Sequence, residues 1–529
     1  MAFSRHLFLI FAFIFAADLS SAASLLPACG NQVYQTGENY QSYYQQSGRA
    51  GCMKDWAVLI YMAADNELTP YALWDLYEME SRLTGEANLG ASTASVDVVV
   101  ELDTFARTGV QRYHIFQGNE TYDPHLRLED FQKKSEKDIH SPLVKWFPET
   151  GEGSLRNQKK RFQEFLLWSQ KKYPAKKYMV VIWGHGEGYI GQHSETPDLR
   201  ELLPREKATS NLLNRDMVYL DLLDQMDPAK FVIAGKPFGG VAFDYSDKTY
   251  LDIPSIRKIL ADFNQHRGKD TQVEILAFDA CLMQSLEVAT ELMDVASYLV
   301  GSEQIQNYLG LPYRKLLDSL QRSPESYTMA KQIPLMVGQA YADGGYQAVV
   351  DPKMARTFTV STLILSEMRR HLLPAMLELS QALKAYLEED FTHPMELSYI
   401  LQESASFRGE GRDLGIFLGT ILKLLYEEER QRGLSVAGEE LRSKVQNTLQ
   451  ALQRSMASYA YGDAYVNPGT DENRSYLLGF FKGVTVWIPG NPDLFLAREK
   501  EMSTAALFTL KGSEPKWQDW LSGLLSPVE

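Results

Sequence analysis

A histidine and a cysteine, each set just after a run of apolar residues, are where this 529-residue sequence offers chemistry. His185 lies in Gly184-His185-Gly186-Glu187-Gly188, directly after the run Tyr178–Trp183. Cys281 lies in Asp279-Ala280-Cys281, directly after the run Val273–Phe278. A thiolate is a nucleophile, and an imidazole within reach takes and returns its proton, which is what acyl transfer through a covalent intermediate requires. Cys281 reads as the first residue of a helix, where unpaired N–H groups and the helix dipole favour the thiolate. Gly186 offers a backbone N–H clear of side-chain crowding, and with the Cys281 N–H it would form an oxyanion hole. Asp279 belongs to another task, because a carboxylate facing the sulfur would raise the thiol pKa. Either it caps the start of the helix, or it floors a pocket that receives a cationic side chain. Taken singly, a core cysteine and a structurally satisfied histidine are the plainer readings; the matched positions after two strands set the pair apart. No third member of a triad stands out.

Apolar patterning gives the scaffold under these residues. Ala57–Met62, Val96–Leu102, Tyr178–Trp183 and Val273–Phe278 are short, nearly continuous apolar runs, as strands buried on both faces are. Between them, Pro70–Leu83, residues 155–172, Pro254–Phe263 and Ala280–Val300 read as helices. Strand and helix in alternation predict an α/β fold, a mostly parallel sheet with helices on both faces. In such sheets the site lies beyond the carboxyl ends of the strands, where His185 and Cys281 stand. After about residue 350 the pattern becomes helix-rich, over 361–388, 414–432 and 436–458. Tyr476–Ile488 then reads as a bent strand or hairpin. The expected organisation is a targeting segment over 1–28, a polar tether over 29–53, a core over 54–350 and a helix-rich region over 351–529.

Composition narrows the function. Hydrophobic residues make up 45% and charged residues 23%, as in an ordinary globular protein. The net charge of −15, with no Lys/Arg cluster to offset it, argues against nucleic-acid partners and suits cationic ones. Three cysteines are too few for a disulfide scaffold, and no CxxC pair suggests zinc. Gly186-Glu-Gly-Tyr-Ile-Gly191 matches GxGxxG after a strand. The residues after Gly191 are polar and broken by Pro197 and Pro204, so the helix that a dinucleotide site needs is missing. No Walker loop, HExxH or GxSxG is present.

At the N-terminus, Arg5 and His6 precede the apolar run Leu7–Ala17, which is short for a membrane span, and small residues come next at Ser20–Ala23. This reads as a secretory signal. Leu26-Pro-Ala-Cys29-Gly also resembles a bacterial lipobox with Cys29 as the lipidated residue, so free export and membrane attachment through Cys29 both stand. The expected location is periplasmic, cell-surface or secreted. Residues 31–50 are rich in Gln, Tyr, Ser and Asn and poor in aliphatic residues, as a tether is.

The sequence resembles the clostripain family of cysteine peptidases, relatives of caspases, gingipains and legumains. The resemblance is carried by WAVLIYMAADNEL, by VVIWGHGEGY, by GGVAFDYSDKTYLDIPSIRKIL with Asp244 at a recurrent aspartate, and most specifically by ILAFDACLMQSLEVATEL. YLVGSEQIQNYLGLPY, RDLGIFL and GVTVWIP add weaker matches. The family commonly has Asp where Gly184 stands, and this chain lacks the acidic-glycine character usual after Glu303. The resemblance implies a caspase-like fold with Cys281 as nucleophile, His185 as base and Asp279 as the acid of the S1 pocket. It implies cleavage after Arg or Lys in protein or peptide substrates. No cofactor is required by this chemistry; calcium, on which some relatives depend, is left open. The noncatalytic alternative is a surface protein that binds basic peptides on the same fold.

Residues 190–236 form a long connection between the two motifs and contain Arg200, Arg205, Lys207 and Arg215. Connections of this length are lids, processing loops or disordered segments. A solvated loop accounts for the charges; so does a self-cleavage site, since these are the P1 residues an Asp279 pocket would accept.

Overall fold

The structure is a computed structural model. It describes residues 53–81, 91–118, 134–189, 239–347, 358–403, 411–462 and 480–489, less a few single positions, and short pieces between 495 and 525. The targeting segment, the tether with Cys29, and Arg200, Arg205, Lys207 and Arg215 lie outside the described residues.

The strands in the first half of the chain are β1 (Lys54–Ala64), β2 (Val96–Thr104), β3 (Val110–His114), β4 (Leu143–Phe147), β5 (Ala175–Trp183), β6 (Gly240–Asp244) and β7 (Thr249–Asp252). The later strands are β8 (Val273–Asp279), β9 (Ala296–Gly301), β10 (Thr359–Ile364), β11 (Gly411–Asp413), β12 (Met456–Tyr461) and β13 (Thr485–Trp487). Nine of them form one sheet in the order β12-β10-β9-β8-β5-β1-β2-β3-β4. The five central strands, from β9 to β2, are parallel, and antiparallel strands flank them on both sides. β6 and β7 form a separate hairpin, and β11 pairs with β13.

The helices are α1 (Thr69–Glu80), α2 (Gln158–Lys172), α3 (Ile253–Arg267), α4 (Leu286–Leu292), α5 (Tyr313–Leu320) and α6 (Ser326–Tyr341). They continue as α7 (Leu373–Glu389), α8 (His393–Glu403), α9 (Leu414–Arg432), α10 (Val436–Ser455) and α11 (Asp519–Leu525). Alternate residues of β1 enter opposite cores, as the period of two requires. Leu59 and Tyr61 pack with Phe162 and Phe165 of α2 and with the helices of the C-terminal region. Trp56, Val58 and Ile60 pack with Trp74 of α1 and Leu316 of α5. This is the expected α/β architecture, with helices on both faces of the sheet.

Three expectations are corrected. Ala280–Val300 is not one long helix. Leu282 adopts φ 61°, outside the helical region. Its N–H donates to Gln304 O at 3.0 Å, and the Gln284 N–H donates to Ser302 O at 3.0 Å. The helix begins only at Leu286, where Ser285 accepts the Val288 N–H at 3.3 Å as N-cap. Ala296–Gly301 then joins the sheet as β9. Second, the helix expected from residue 361 is preceded by β10, whose Thr359-Val-Ser-Thr stretch finds an open sheet edge at β9. Third, within Tyr476–Ile488 the described β structure is the short β13, and residues before 480 lie outside the description.

Candidate active site

β5 and β8 are neighbours in the sheet, and Trp183 pairs directly with Asp279. His185 and Cys281 are therefore each two residues beyond the same rung. The Gly184 N–H donates to Asp279 O at 3.2 Å and extends this pairing past the strand end. The chain then leaves the sheet to run against β6: Ala242 N–H donates to His185 O at 2.8 Å, and Glu187 N–H to Gly240 O at 2.9 Å. This ladder uses the amides on either side of the Gly186–Val241 pair, so the Gly186 N–H is turned away from β6. A Cβ on Gly186 would lie 2.4 Å from Cys281 O and 3.0 Å from Ala280 Cβ. The histidine turn and the cysteine turn are thus in close contact at a residue without a side chain.

Cys281 is half-buried. Its Sγ accepts the Gln306 N–H at 3.3 Å. Because α4 starts at Leu286, Cys281 does not open a helix, and the amide seen to reach the sulfur is that of Gln306. The loop that carries Gln306 is held to the cysteine turn by the Leu282 and Gln284 amides, which donate to Gln304 O and Ser302 O.

His185 Nε2 lies 2.8 Å from Glu67 Oε1, and both side chains are about 15% exposed (15% and 16%). The imidazole is stacked on Tyr245, with centroids 5.9 Å apart and planes 3° from parallel. Neither partner was singled out from the sequence. Glu67 sits in the Ala-Asp-Asn-Glu turn at the carboxyl end of β1. The signal available was that β1 is a candidate neighbour of β5; the pairing Met62–Trp183 makes it one. The β1 turn and the hairpin turn are fastened to each other. Asn66 Nδ2 donates to Phe243 O at 2.8 Å, Tyr245 N–H donates to Asp65 O at 3.0 Å, and Ser246 Oγ donates to Asp65 Oδ1 at 2.9 Å.

Asp279 is buried at 5% exposure. Its carboxylate accepts from Gln306 Nε2, from the Leu311 N–H at 3.0 Å and from the Tyr313 hydroxyl at 2.8 Å. It does not cap a helix: α4 starts seven positions later, with Ser285 as cap, so that alternative falls. Gly310, at φ 57°, passes so close that a Cβ there would lie 2.5 Å from Asp279 Oδ2. Burial pushes the Asp279 carboxyl up to about 6, against the lowering effect of its three donors. Beneath it is Asp75, fully buried, which accepts from Trp183 Nε1 at 2.7 Å. Burial, and then the charge of Asp279, hold the Asp75 carboxyl well above the usual range.

Among the described residues, one group of acids is close enough to share a cation: Asp65, Asp103 and Asp244, all buried, with ligand atoms within 4.8 Å of one another. A cation of the protein's own already reaches them. The Arg161 guanidinium pairs with Asp103, lies 3.4 Å from Asp244 Oδ2, and donates to the Tyr61 hydroxyl at 2.9 Å. Burial pushes Asp244 up to about 8 and Asp65 up to about 6, each raised further by the charge of Asp103.

The clostripain family model matches residues 60–202 and 236–407, more than half of the chain and both the histidine and cysteine turns. No curated protein matches it. Among solved structures, a secreted C11 cysteine protease from Bacteroides thetaiotaomicron, iotapain, is similar at TM-score 0.49 and 14% identity, over 89% of this chain and 99% of its own. An inactive zymogen C11 protease from Parabacteroides distasonis is similar at TM-score 0.48 and 13% identity, over 89% and 99%. On the family match, the chain belongs to the clostripain family and is a cysteine peptidase.

Proposed function

We propose that the chain is an exported cysteine endopeptidase that cleaves after Arg or Lys, with Cys281 as nucleophile and His185 as base. The observation that carries this is the Trp183–Asp279 rung, beyond which the two side chains leave adjacent parallel strands at the same height. In this reading the Cys281 proton passes to His185, and the thiolate attacks the scissile carbonyl carbon. The Gly186 and Cys281 amides receive the oxyanion. The imidazolium returns its proton to the departing amine as the C–N bond breaks, and water then resolves the thioester.

Specificity for basic P1 residues rests on Asp279 and Asp75. Both carboxyls are raised by burial, and Asp75 further by the charge of Asp279; a cation relieves such a pair, and a guanidinium brings both charge and paired donors. For an incoming side chain to reach Asp279, the Gln306 amide must give way, since it now holds Oδ1. Export, by release or by a lipid on Cys29, rests on the apolar run Leu7–Ala17 and the residues after it. No calcium is required in this reading, because Arg161 supplies positive charge to the acidic group that, among the described residues, is close enough to hold the ion.

The test is cleavage of a peptide panel with basic and neutral P1 residues by wild type, Cys281→Ala and His185→Ala. Both variants should lose essentially all turnover, because nucleophile and base act as a unit. Wild-type activity in Cys281→Ala would discard the assignment. Chelator added to the wild type should leave the rate unchanged; a loss restored by calcium would show that the ion is needed.

A further inference from the structure

We infer that Glu67 is the positioning residue of the histidine: with Tyr245 it fixes the ring, its tautomer and the charge that the ring takes up. The inference rests on the Cys281–His185 reading above. Three observations lead to it. The first is the 2.8 Å ion-pair approach of Glu67 Oε1 to His185 Nε2, a charge contact that does not reach hydrogen-bond alignment in this structure. A carboxylate at that nitrogen favours the proton on Nε2, which leaves Nδ1 as the basic nitrogen for the thiol.

The second concerns Glu67 itself. Both of its carboxylate oxygens are shielded from solvent, and among the described residues neither has a hydrogen-bond donor beyond the ion-pair contact with His185. A shielded carboxylate is costly unless a positive charge answers it. The imidazolium formed when the Cys281 proton moves is such a charge.

The third excludes a merely structural task. The β1 turn is already secured without Glu67. Asn66 Nδ2 donates to Ala63 O at 3.1 Å, the Leu68 N–H donates to Asn66 Oδ1 at 2.9 Å, and Thr69 Oγ1 donates to Ala64 O at 2.6 Å. Tyr245 complements the carboxylate by stacking on the ring face. The carboxylate fixes the ring edge and the phenol fixes the ring plane, so one degree of freedom is removed by each.

The proton inventory is closed. The Cys281 S–H proton goes to Nδ1, the Nε2 proton stays with the ring against Glu67, and the Nδ1 proton leaves with the amine. Glu67 neither gains nor loses a proton and touches no reacting atom.

The full-length protein tests this with Glu67→Gln, Glu67→Asp and Cys281→Ala. Rates are read on a peptide panel with basic and neutral P1 residues, alongside alkylation of Cys281 by iodoacetamide at neutral pH. Glu67→Gln keeps the side-chain volume and removes the charge. Its kcat should fall roughly 10- to 100-fold, part of the ~10²–10⁴-fold that positioned proton transfer contributes. KM should stay within about twofold, and alkylation should slow in step. Glu67→Asp keeps the charge one methylene short and should fall between. Wild-type kcat and alkylation in Glu67→Gln overturn the inference, as does a change confined to KM. If Glu67→Gln does not fold, Glu67→Asp decides: a lowered kcat at unchanged KM upholds the role, and a wild-type kcat overturns it. Cys281→Ala keeps the two readings apart. If it is inactive while Glu67→Gln is not, only the role of Glu67 falls; if it is active, the Cys281–His185 reading falls first.

Discussion

Gly186 has no room for a side chain. A methyl group there meets the Cys281 carbonyl at 2.4 Å, and that carbonyl is backbone and cannot swing aside. In Gly186→Ala the histidine and cysteine turns must therefore part. Overpacking of this kind costs about 1–3 kcal/mol, which the fold can absorb. Separating a base from its nucleophile by about 1 Å can cost ~10²-fold in rate. The expected result is a folded protein with a modestly lowered Tm and kcat reduced by about two orders of magnitude. Calorimetry and steady-state kinetics together check it, and an unimpaired kcat would show that the turns do not need this contact. Asp279→Asn tests the neighbouring residue. An amide group must then face either the Gln306 donor or the Leu311 and Tyr313 donors, so some stability is lost as well. The kcat/KM for Arg substrates should fall further than for neutral ones. Equal losses on both would make Asp279 a support of the fold alone.

At the scale of elements, the end of β1, strand β2 and the separate β6–β7 hairpin are tied together by buried acids. Asp65 ends β1, Asp103 lies within β2, and Asp244 ends β6, with Arg161 of α2 among them. Asp244 is pushed up to about 8 and Asp65 up to about 6, both above their unfolded values. A raised carboxyl binds more protons in the folded state than in the unfolded one. Its contribution to stability is therefore present at low pH and is lost as pH rises through the folded value. The loss should set in above about pH 4 and be complete above about pH 8. Thermal unfolding followed from pH 6 to 9 should show Tm falling, and Asp244→Asn, which cannot ionise, should flatten that slope. An unchanged slope in the variant would assign the effect to other groups. Activity should follow the same trend, because the turns held here carry Glu67 and Tyr245 to the histidine.

For the molecule as a whole, the C-terminal region is part of the same core and sheet. β10 and β12 extend the sheet beyond β9, and the core around Leu59 and Phe165 continues through Phe417 and Leu452. The region also buttresses the segment after the cysteine. Thr485 N–H donates to Gln284 O at 3.0 Å, Trp487 N–H to Glu287 Oε1 at 2.9 Å, and Gln284 Nε2 to Ser361 Oγ at 2.9 Å. Glu303, on the loop that carries Gln306, is fully buried. Burial and then the charge of Asp413, the N-cap of α9, hold its carboxyl well above the usual range. A chain ending at residue 350 should therefore be insoluble or unfolded by circular dichroism; a soluble, active fragment would show that the sheet is complete without β10. Cleavage in the 190–236 connection has the opposite consequence. β5 and β8 on either side of it are paired over five rungs and buried. A nicked protein should run as two fragments on a denaturing gel and as one species on a sizing column. If the cut is its own work, Cys281→Ala stays whole under the same conditions.

The central strands and the position of the two candidate reactive residues were legible in the sequence, because both are local properties. A continuous apolar run such as Val273–Phe278 can satisfy itself only as a strand buried on both faces, and a polar turn after it must lie at the sheet edge. The same run cannot say which strand stands beside it. The pairing of β5 with both β1 and β8 is what places Glu67 against His185, two residues 118 positions apart, and no periodicity encodes that distance. The stretch after Cys281 shows the other limit. Ala280–Val300 carries a helical pattern, yet the backbone of 282–284 hydrogen-bonds to the 302–304 loop, and β9 fills a place in the sheet. Long-range backbone pairing outweighed local propensity there, because propensities differ by only tenths of a kcal/mol per residue while an unpaired buried amide costs about 1–3 kcal/mol. Residue type and local pattern marked which groups could react. Strand pairing across the sheet made a turn, not a helix, present the thiol, and brought a carboxylate from β1 behind the imidazole.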